Sequence, residues 1–387
     1  MRGFVAELEA ELAALAAVDR RRACPEVVGG TRERIEVSGR SMLSFCSNDY
    51  LGLASHPALA TAATETAARE GFGASASRLV AGDLPAHRRL ESALAAYLDR
   101  PSALVFPTGY QTNVGVLAAL AGREDLNVSD ALNHASLVDG CRLSRARVEI
   151  YPHADAAAAL RLLEAGGPYR RRLLVTESLF SMDGDAAPLA ALGDAATRTD
   201  AILVVDEAHA FGVLGPGGRG LCAATGVAPD VLIGTLGKAV AAAGGFVAGA
   251  SALRDLLVNR ARTFVFTTAL PPPVAAAAAA ALALIAGPEG DRRRALLADR
   301  IGALTGPLLD RRLIATAPAG PIVPVVLGAE SRALGVAAGL RARGLFVPAI
   351  RPPTVPPGSS RLRITLSAGH DPGDVDRLAA ALAESAA

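Results

Sequence analysis

The sequence predicts an α/β fold built on a mainly parallel central sheet. Three observations carry that expectation. Between about residue 100 and residue 250, short apolar runs alternate with helical patterns, and most runs are bounded by Gly, Asp or Pro. This is the rhythm of βαβ units, whose strands lie parallel because a helix makes each crossover. Asp206 and Lys238 fall at or just past the ends of two such runs, where ligands bind on sheets of this type. After Pro271-Pro272-Pro273 the rhythm changes, which marks a smaller α+β region.

The elements follow in order. Phe4, Leu8, Leu12 and Leu15 recur at helical spacing and predict an amphipathic N-terminal helix packed on the body. Glu7, Glu9 and Glu11 interrupt the apolar stretch that a signal peptide needs. The predicted strands are 103–106, 126–128, 147–150, 173–176, 202–206, 231–234 and 245–248. The alanine run 275–283 is too short and too weakly apolar to span a bilayer, and predicts a helix bridging two domains. Beyond it come an apolar run at 322–327, a Pro-rich stretch over 348–357 and a strand at 362–366. The domains predicted are a helical segment over 1–45, a large cofactor-binding domain over 46–283 and a small domain over 284–387.

Composition excludes several classes. The 387 residues are 51% hydrophobic and 20% charged, as in an enzyme-sized globular protein. A net charge of +1 provides no field to draw in nucleic acid or an anionic membrane. Cys24, Cys46, Cys141 and Cys222 are widely spaced with no CxxC pair, so neither a zinc site nor a redox dithiol is expected. Reduced thiols in a cytoplasmic protein are the simplest account.

Lys238 is the only lysine, against 38 arginines. An amine is what arginine cannot supply: guanidinium stays protonated, whereas lysine can lose its proton and attack a carbonyl. Two motifs nearby mislead. Asp206-Glu207-Ala208-His209 matches a helicase box, but no GxxxxGK[ST] loop lies upstream to hold a nucleotide. Gly215-Pro216-Gly217-Gly218-Arg219-Gly220 matches GxGxxG, but it does not follow a strand directly and no ribose-binding acid follows. Those glycines predict a turn.

A lysine that holds an aldehyde cofactor as a Schiff base, with an acid opposite a pyridine nitrogen, is the requirement of pyridoxal 5'-phosphate. Lys238 and Asp206 meet it by type and position. At about 4 Å and an effective dielectric near 20, a carboxylate paired with the ring cation is worth on the order of 4 kcal/mol. The phosphate needs N–H groups at a helix start together with hydroxyls. Residues 106–113 supply a strand, a Thr108-Gly109 turn and a helix, and Thr235 adds a hydroxyl three residues before Lys238.

These residues, with Ser47-Asn48-Asp49-Tyr50-Leu51-Gly52-Leu53, Gly234-Thr235-Leu236-Gly237-Lys238, Thr176-Glu177-Ser178-Leu179-Phe180-Ser181-Met182-Asp183-Gly184 and Phe266-Thr267-Thr268-Ala269-Leu270-Pro271-Pro272, resemble the α-oxoamine synthases from about residue 20 onward. The resemblance implies a fold-type-I pyridoxal-phosphate transferase. It implies that Lys238 bonds the cofactor and later moves the substrate's Cα proton, that Asp206 pairs with the ring nitrogen, and that His134 stacks on the ring. Ser181 and His209 would bond near the phenolic oxygen, while Gly109, Tyr110 and Thr235 would frame the phosphate or ring. Thr268 would reach the phosphate of the other subunit, which implies a homodimer. Arg363 would clamp the amino-acid carboxylate, with Asn48 nearby and Thr354 and Arg21 on the substrate.

Members of this family join an amino acid to an acyl thioester with loss of CO2. The runs Arg351-Pro352-Pro353-Thr354-Val355-Pro356 and Arg361-Leu362-Arg363-Ile364-Thr365-Leu366 most resemble those of the branch that uses L-alanine and a pimeloyl thioester, on coenzyme A or acyl-carrier protein. Branches that use glycine differ by one methyl, about 1–3 kcal/mol in a pocket, so a glycine acetyltransferase and an aminolevulinate-forming enzyme stay open, with the 351–356 run arguing against the first, and so does a secondary-metabolite homologue that uses another acyl chain. Ala210 and the alanine-rich 239–245 depart from the family pattern, and both bear on pocket shape.

Overall fold

Seven strands form the central sheet of the unit Asn48–Leu296: β1 (Ser102–Phe106), β2 (Leu126–Asp130), β3 (Arg147–Tyr151), β4 (Arg172–Glu177), β5 (Ile202–Asp206), β6 (Val231–Thr235) and β7 (Gly245–Gly249). Their order is β1-β7-β6-β5-β4-β2-β3. The computed structural model describes residues 2–29 and 33–385.

All seven predicted strands are present, most of them one or two residues longer than the apolar runs. From β3 to β6 across the sheet, neighbours pair in parallel. Strand β7 runs antiparallel to both β6 and β1. Its direction follows from the chain: only residues 236–244 separate it from β6, too few for a crossover, so the chain must turn back.

The apolar runs are continuous because both faces of the sheet are covered. Alternate residues divide between two cores. Leu173, Val175 and Val204 join Leu117, Leu137 and Leu257 on one side. Leu174, Leu203 and Val205 join Leu163, Leu192 and Phe180 on the other. Each fully buried Val or Leu is worth about 1.5–3 kcal/mol over its exposed state.

The winding reverses between β2 and β4: β3 lies outward of β2 on one side, while β5 and β6 follow β4 on the other. The C-terminal ends at such a reversal leave a crevice. His134 follows β2, Glu177 ends β4 and Asp206 ends β5.

The alanine helix (Pro272–Ala286) is not the bridge that the sequence predicts. It lies wholly within this unit and packs on helices Pro57–Glu70 and Pro85–Tyr97. Ala275, Ala278, Ala281 and Ile285 are fully buried along it, and small side chains at that spacing let neighbouring helices approach closely.

The second unit comprises Met1–Ser47 and Leu297–Ala387. Strand Arg34–Val37 pairs antiparallel with Arg40–Ser44, which pairs in parallel with Leu345–Phe346. Ser360–Thr365 is the centre of a three-stranded antiparallel sheet with Ile322–Gly328 and Ala349–Ile350. The predicted N-terminal helix forms over Arg2–Ala17, but its stripe is not packed on the body: Phe4 is 64% exposed, and Leu8, Leu12 and Leu15 are exposed as well. Periodicity is a local signal for a helix and does not name what covers its apolar face. Among the described residues no single helix is long and apolar enough to cross a membrane.

Candidate active site

A cavity of about 200 Å³ opens at the C-terminal ends of the strands in the large unit. Seven predicted residues line it: Gly109, Tyr110, His134, Asp206, His209, Thr235 and Lys238. Asn113, Ser136 and Glu177 line it too, and sequence reasoning assigned them no role.

Lys238 sits in the connection from β6 to β7, held by Leu236 N–H to Gly244 O (2.9 Å) and Ala242 N–H to Leu236 O (2.9 Å). Its Nζ is 2.9 Å from His209 Nε2. His209 Nδ1 is 2.6 Å from the Tyr50 hydroxyl, which donates to Asn48 Oδ1 at 3.1 Å. One proton assignment satisfies the whole chain: Lys238 N–H donates to Nε2, Nδ1–H donates to Tyr50 Oη, and the Tyr50 O–H donates to Asn48. Asn48 therefore does not line the cavity but connects to it through Tyr50 and His209.

Asp206 closes β5 and is buried. Its Oδ1 accepts from Ala208 N–H (2.8 Å) and its Oδ2 from Asn113 Nδ2 (2.8 Å). Asn113 Nδ2 also donates to Ser136 Oγ at 2.8 Å, and Ser136 Oγ lies 2.7 Å from His134 Nδ1. Asn113 thus ties the predicted acid to the predicted stacking ring. Desolvation by surrounding protein holds His134 below the ordinary imidazole pKa, although the residue keeps an exposed face. A second carboxyl, Glu177, pairs in register with Asp206 across β4 and β5. It is buried and accepts the His134 backbone N–H at 2.6 Å. Burial, then the Asp206 charge, push its pKa well above the usual carboxylate range.

At the helix start where the sequence predicts a phosphate, the backbones approach closely. The helix Gly109–Leu120 begins at Thr108, whose hydroxyl caps Gln111 N–H at 3.1 Å. A Cβ at Gly245 would lie 2.4 Å from Thr112 Oγ1 and 2.6 Å from Gly109 Cα, so only glycine lets β7 pass this helix start. Thr235 Oγ1 would stand 3.3 Å from a Cβ at Gly109. Tyr110 donates its hydroxyl to Asp139.

The remaining predictions fall elsewhere. Ser181 is buried in the hairpin after β4, outside the cavity lining, and its backbone N–H bonds the Glu177 carboxyl. Thr268 lies on an exposed loop. Ala210 is fully buried and does not shape the lining. Glu207 turns away from the cavity: its carboxylate accepts Ser178 Oγ–H (2.7 Å) and Cys222 N–H (2.6 Å). The glycine-rich run forms the turn expected of it, with Gly215, Gly217, Gly218 and Gly220 all at positive φ.

Arg21, Thr354 and Arg363 belong to the smaller unit. Arg363 is buried on strand Ser360–Thr365. Arg20 pairs with Glu330 at 3.2 Å, and Arg22 reaches Pro352 O at 3.2 Å and Thr354 Oγ1 at 3.4 Å. Among the described residues no hydrogen bond or ion pair engages the Arg21 guanidinium, which separates it from its two neighbours.

Two of these residues had a legible signal. The strands ending at 177 and 206 both close an apolar run with an acid, and parallel neighbours place such ends together. Asn113 directly precedes the apolar run 114–120 of its helix and is buried, a costly position unless the amide has partners.

The donor set fits pyridoxal phosphate. An amine, a buried carboxylate, an imidazole at the cavity wall, and a glycine-lined helix start beside a hydroxyl surround one cavity. The sequence model of the class I and II aminotransferase family matches residues 40–382. The 8-amino-7-oxononanoate synthase of Anaeromyxobacter dehalogenans (strain 2CP-1) is 52% identical over 99% of this chain and 96% of its own. Among solved structures, serine palmitoyltransferase from S. paucimobilis, with a pyridoxal-phosphate adduct of myriocin, superposes with TM-score 0.92 at 29% identity, covering 98% and 96% of the two chains. The 8-amino-7-oxononanoate synthase of Francisella tularensis superposes with TM-score 0.77 at 26% identity, covering 89% and 97%.

Proposed function

The chain belongs to the class I and II aminotransferase family, in its α-oxoamine synthase branch, and from that premise we propose that it joins L-alanine to a pimeloyl thioester. The products are 8-amino-7-oxononanoate, CO2 and the free thiol of the carrier. The observation that carries this reading is near-full-length identity of 52% with a synthase of that name.

When bound, pyridoxal 5'-phosphate supplies an aldehyde for amines and a cationic ring that takes up the electron pair left at the substrate's Cα. Lys238 would hold the cofactor and, once released by the incoming amine, accept the Cα proton. His209 Nε2 accepts an N–H of that lysine, which keeps the amine aimed into the cavity. Asp206 would face the ring nitrogen, with its Oδ2 already oriented by Asn113. His134 would cover the ring from the side that Ser136 fixes. Thr235 and the N–H groups at Gly109 and Tyr110 would hold the phosphate. Ser181 is proposed beside the phenolic oxygen, and Asn48 acts through Tyr50. Arg363, Arg21 and Thr354 are proposed on the resemblance as the substrate contacts, with Arg363 on the alanine carboxylate.

We also propose a homodimer in the cytoplasm, in which Thr268 serves the neighbouring subunit's phosphate. Phe72, Val80 and Phe266, all strongly exposed apolar side chains of the large unit, support a covered surface there. Mixed dimers made from Lys238→Ala and Thr268→Val chains test it. One intact site per hybrid would restore activity above either parent; no restoration defeats the shared site.

The structural likeness to serine palmitoyltransferase favours a second reading, an α-oxoamine synthase with another amino acid or acyl chain. A panel of alanine, glycine and serine against pimeloyl, acetyl, succinyl and palmitoyl thioesters separates the readings. Product mass is read directly. A product only from alanine and the pimeloyl thioester supports the first; any other best pair overturns it.

A further inference from the structure

His153 takes no part in the cavity lining, yet it stands at the meeting point of three loops that follow β2, β3 and β4. Its Nδ1 is 2.9 Å from Asp130 Oδ1 and its Nε2 is 2.8 Å from Asp185 Oδ2. Both ring nitrogens face carboxylates, and only an imidazolium donates from both. The ring also meets Phe180 edge-on, with centroids 4.4 Å apart. Flanked by two acids, His153 has its pKa raised to about 10, so the cation persists at neutral pH.

Each acid holds a different loop. Asp130 accepts Leu132 N–H at 2.8 Å and Ala154 N–H at 2.9 Å, which shapes the turn that leads into His134. Asp185 begins the return arm of the hairpin that contains Ser181. That hairpin is closed by Phe180 N–H to Asp185 O (2.9 Å) and Ala187 N–H to Ser178 O (3.0 Å). On the cavity side, Glu177 accepts the backbone N–H groups of His134 and Ser181. The same two loops are therefore tied twice, once by Glu177 at the cavity and once by His153 behind it.

We propose that His153, bridging Asp130 and Asp185, is a positioning residue that sets the spacing between the loops carrying His134 and Ser181. The bridge itself stands on the geometry alone. Its consequence for the cofactor rests on the proposed roles of His134 and Ser181.

The test compares wild type with His153→Gln, Asp185→Asn and the double variant. The first measurement is amide hydrogen exchange of the cofactor-free protein. Exchange in 131–134 and in 178–187 is expected to rise about tenfold or more, the size of one lost charge-assisted hydrogen bond. The two single changes should not add in the double variant, because either one breaks the bridge. The second measurement is titration with pyridoxal phosphate, reading its affinity and the pH at which its visible band shifts. Both should move in the variants. Should His153→Gln fail to fold, Asp185→Asn, whose side chain is 46% exposed, carries both measurements.

Unchanged exchange in either loop overturns the bridge. Faster exchange in both loops with wild-type affinity and spectrum overturns the positioning role. A wild-type protein that binds no pyridoxal phosphate overturns the proposed function, and the exchange data alone then decide for or against the bridge.

Discussion

Replacing Tyr50 with Phe deletes one oxygen from the path that ends on Lys238. Tyr50 is fully buried and His209 nearly so, so no bulk water replaces the hydroxyl. Two responses are open to the ring. If His209 keeps its proton on Nδ1, a buried donor loses its 2.6 Å partner, at about 1–3 kcal/mol. The unfolding midpoint of the cofactor-free protein should then drop by about 1–2 °C per kcal/mol. If the proton moves to Nε2, that atom meets the protonated Lys238 ammonium 2.9 Å away as donor to donor. Lys238 then loses the acceptor that aims it, and kcat should fall about 5- to 150-fold for the same 1–3 kcal/mol. Thermal unfolding and product formation by mass, measured on one preparation, show how the cost divides. A variant with wild-type midpoint and wild-type kcat would refute the path from Asn48 to Lys238.

Lys238→Ala should abolish borohydride-fixed cofactor labelling and lower turnover by more than the roughly 10²–10⁴ of a lost acid–base group, since the covalent anchor goes as well; a wild-type rate would defeat the assignment. Asp206→Asn should lower kcat roughly a thousandfold, the equivalent of on the order of 4 kcal/mol, with a smaller effect on unfolding, checked by kinetics and melting. Glu177 has a folded pKa raised above its unfolded value, so as pH rises from the unfolded value towards the folded one the unfolded chain releases the proton first and stability falls. Glu177→Gln should flatten that fall in denaturant melts of cofactor-free protein between pH 5 and 8; an unaltered slope would show that the carboxyl ionises normally. Gly245→Ala should cost about 1–3 kcal/mol and weaken phosphate binding, because the new methyl meets Thr112 Oγ1 and Gly109 Cα; inorganic phosphate competition with the cofactor reads the second effect.

How much was legible depended on whether a residue's role is local. The strands could be read because β-strand burial leaves a mark on every residue of a short run: Leu203, Val204 and Val205 serve opposite cores in turn, and all must be apolar. Asp206 could be read because an acid directly after such a run has few structural uses. The direction of β7 was implicit in a short connection. The alanine helix was misplaced because small residues signal close packing without naming the neighbour, and the N-terminal stripe was misread for the same reason. Ser181 illustrates the limit further: its motif is local, but its hairpin is bound through Asp185 to His153, which follows a different strand, β3.

A site at the ends of parallel strands has an inherent difficulty, and this chain's buried acids address it. The side chains around the cavity come from several different strand ends and loops, and loops yield more easily than the strands beneath them. Glu177 joins the β2 and β4 loops through backbone N–H groups. Asn113 joins the β5 acid to the β2 loop through Ser136. Glu207 spends no charge on the cavity and instead fixes the turn after β5 by taking Leu221 and Cys222 N–H groups. Gly220 is obligatory there, since a Cβ would come within 2.7 Å of that carboxylate. Of the four residues in the Asp206–His209 motif, three line the cavity and one, Glu207, holds the frame, so the motif is as much a joint as a set of reactive groups. It follows that a substitution at Glu207 should scatter the cavity without touching it: Glu207→Gln should lower cofactor affinity and midpoint together, whereas Asp206→Asn should separate them.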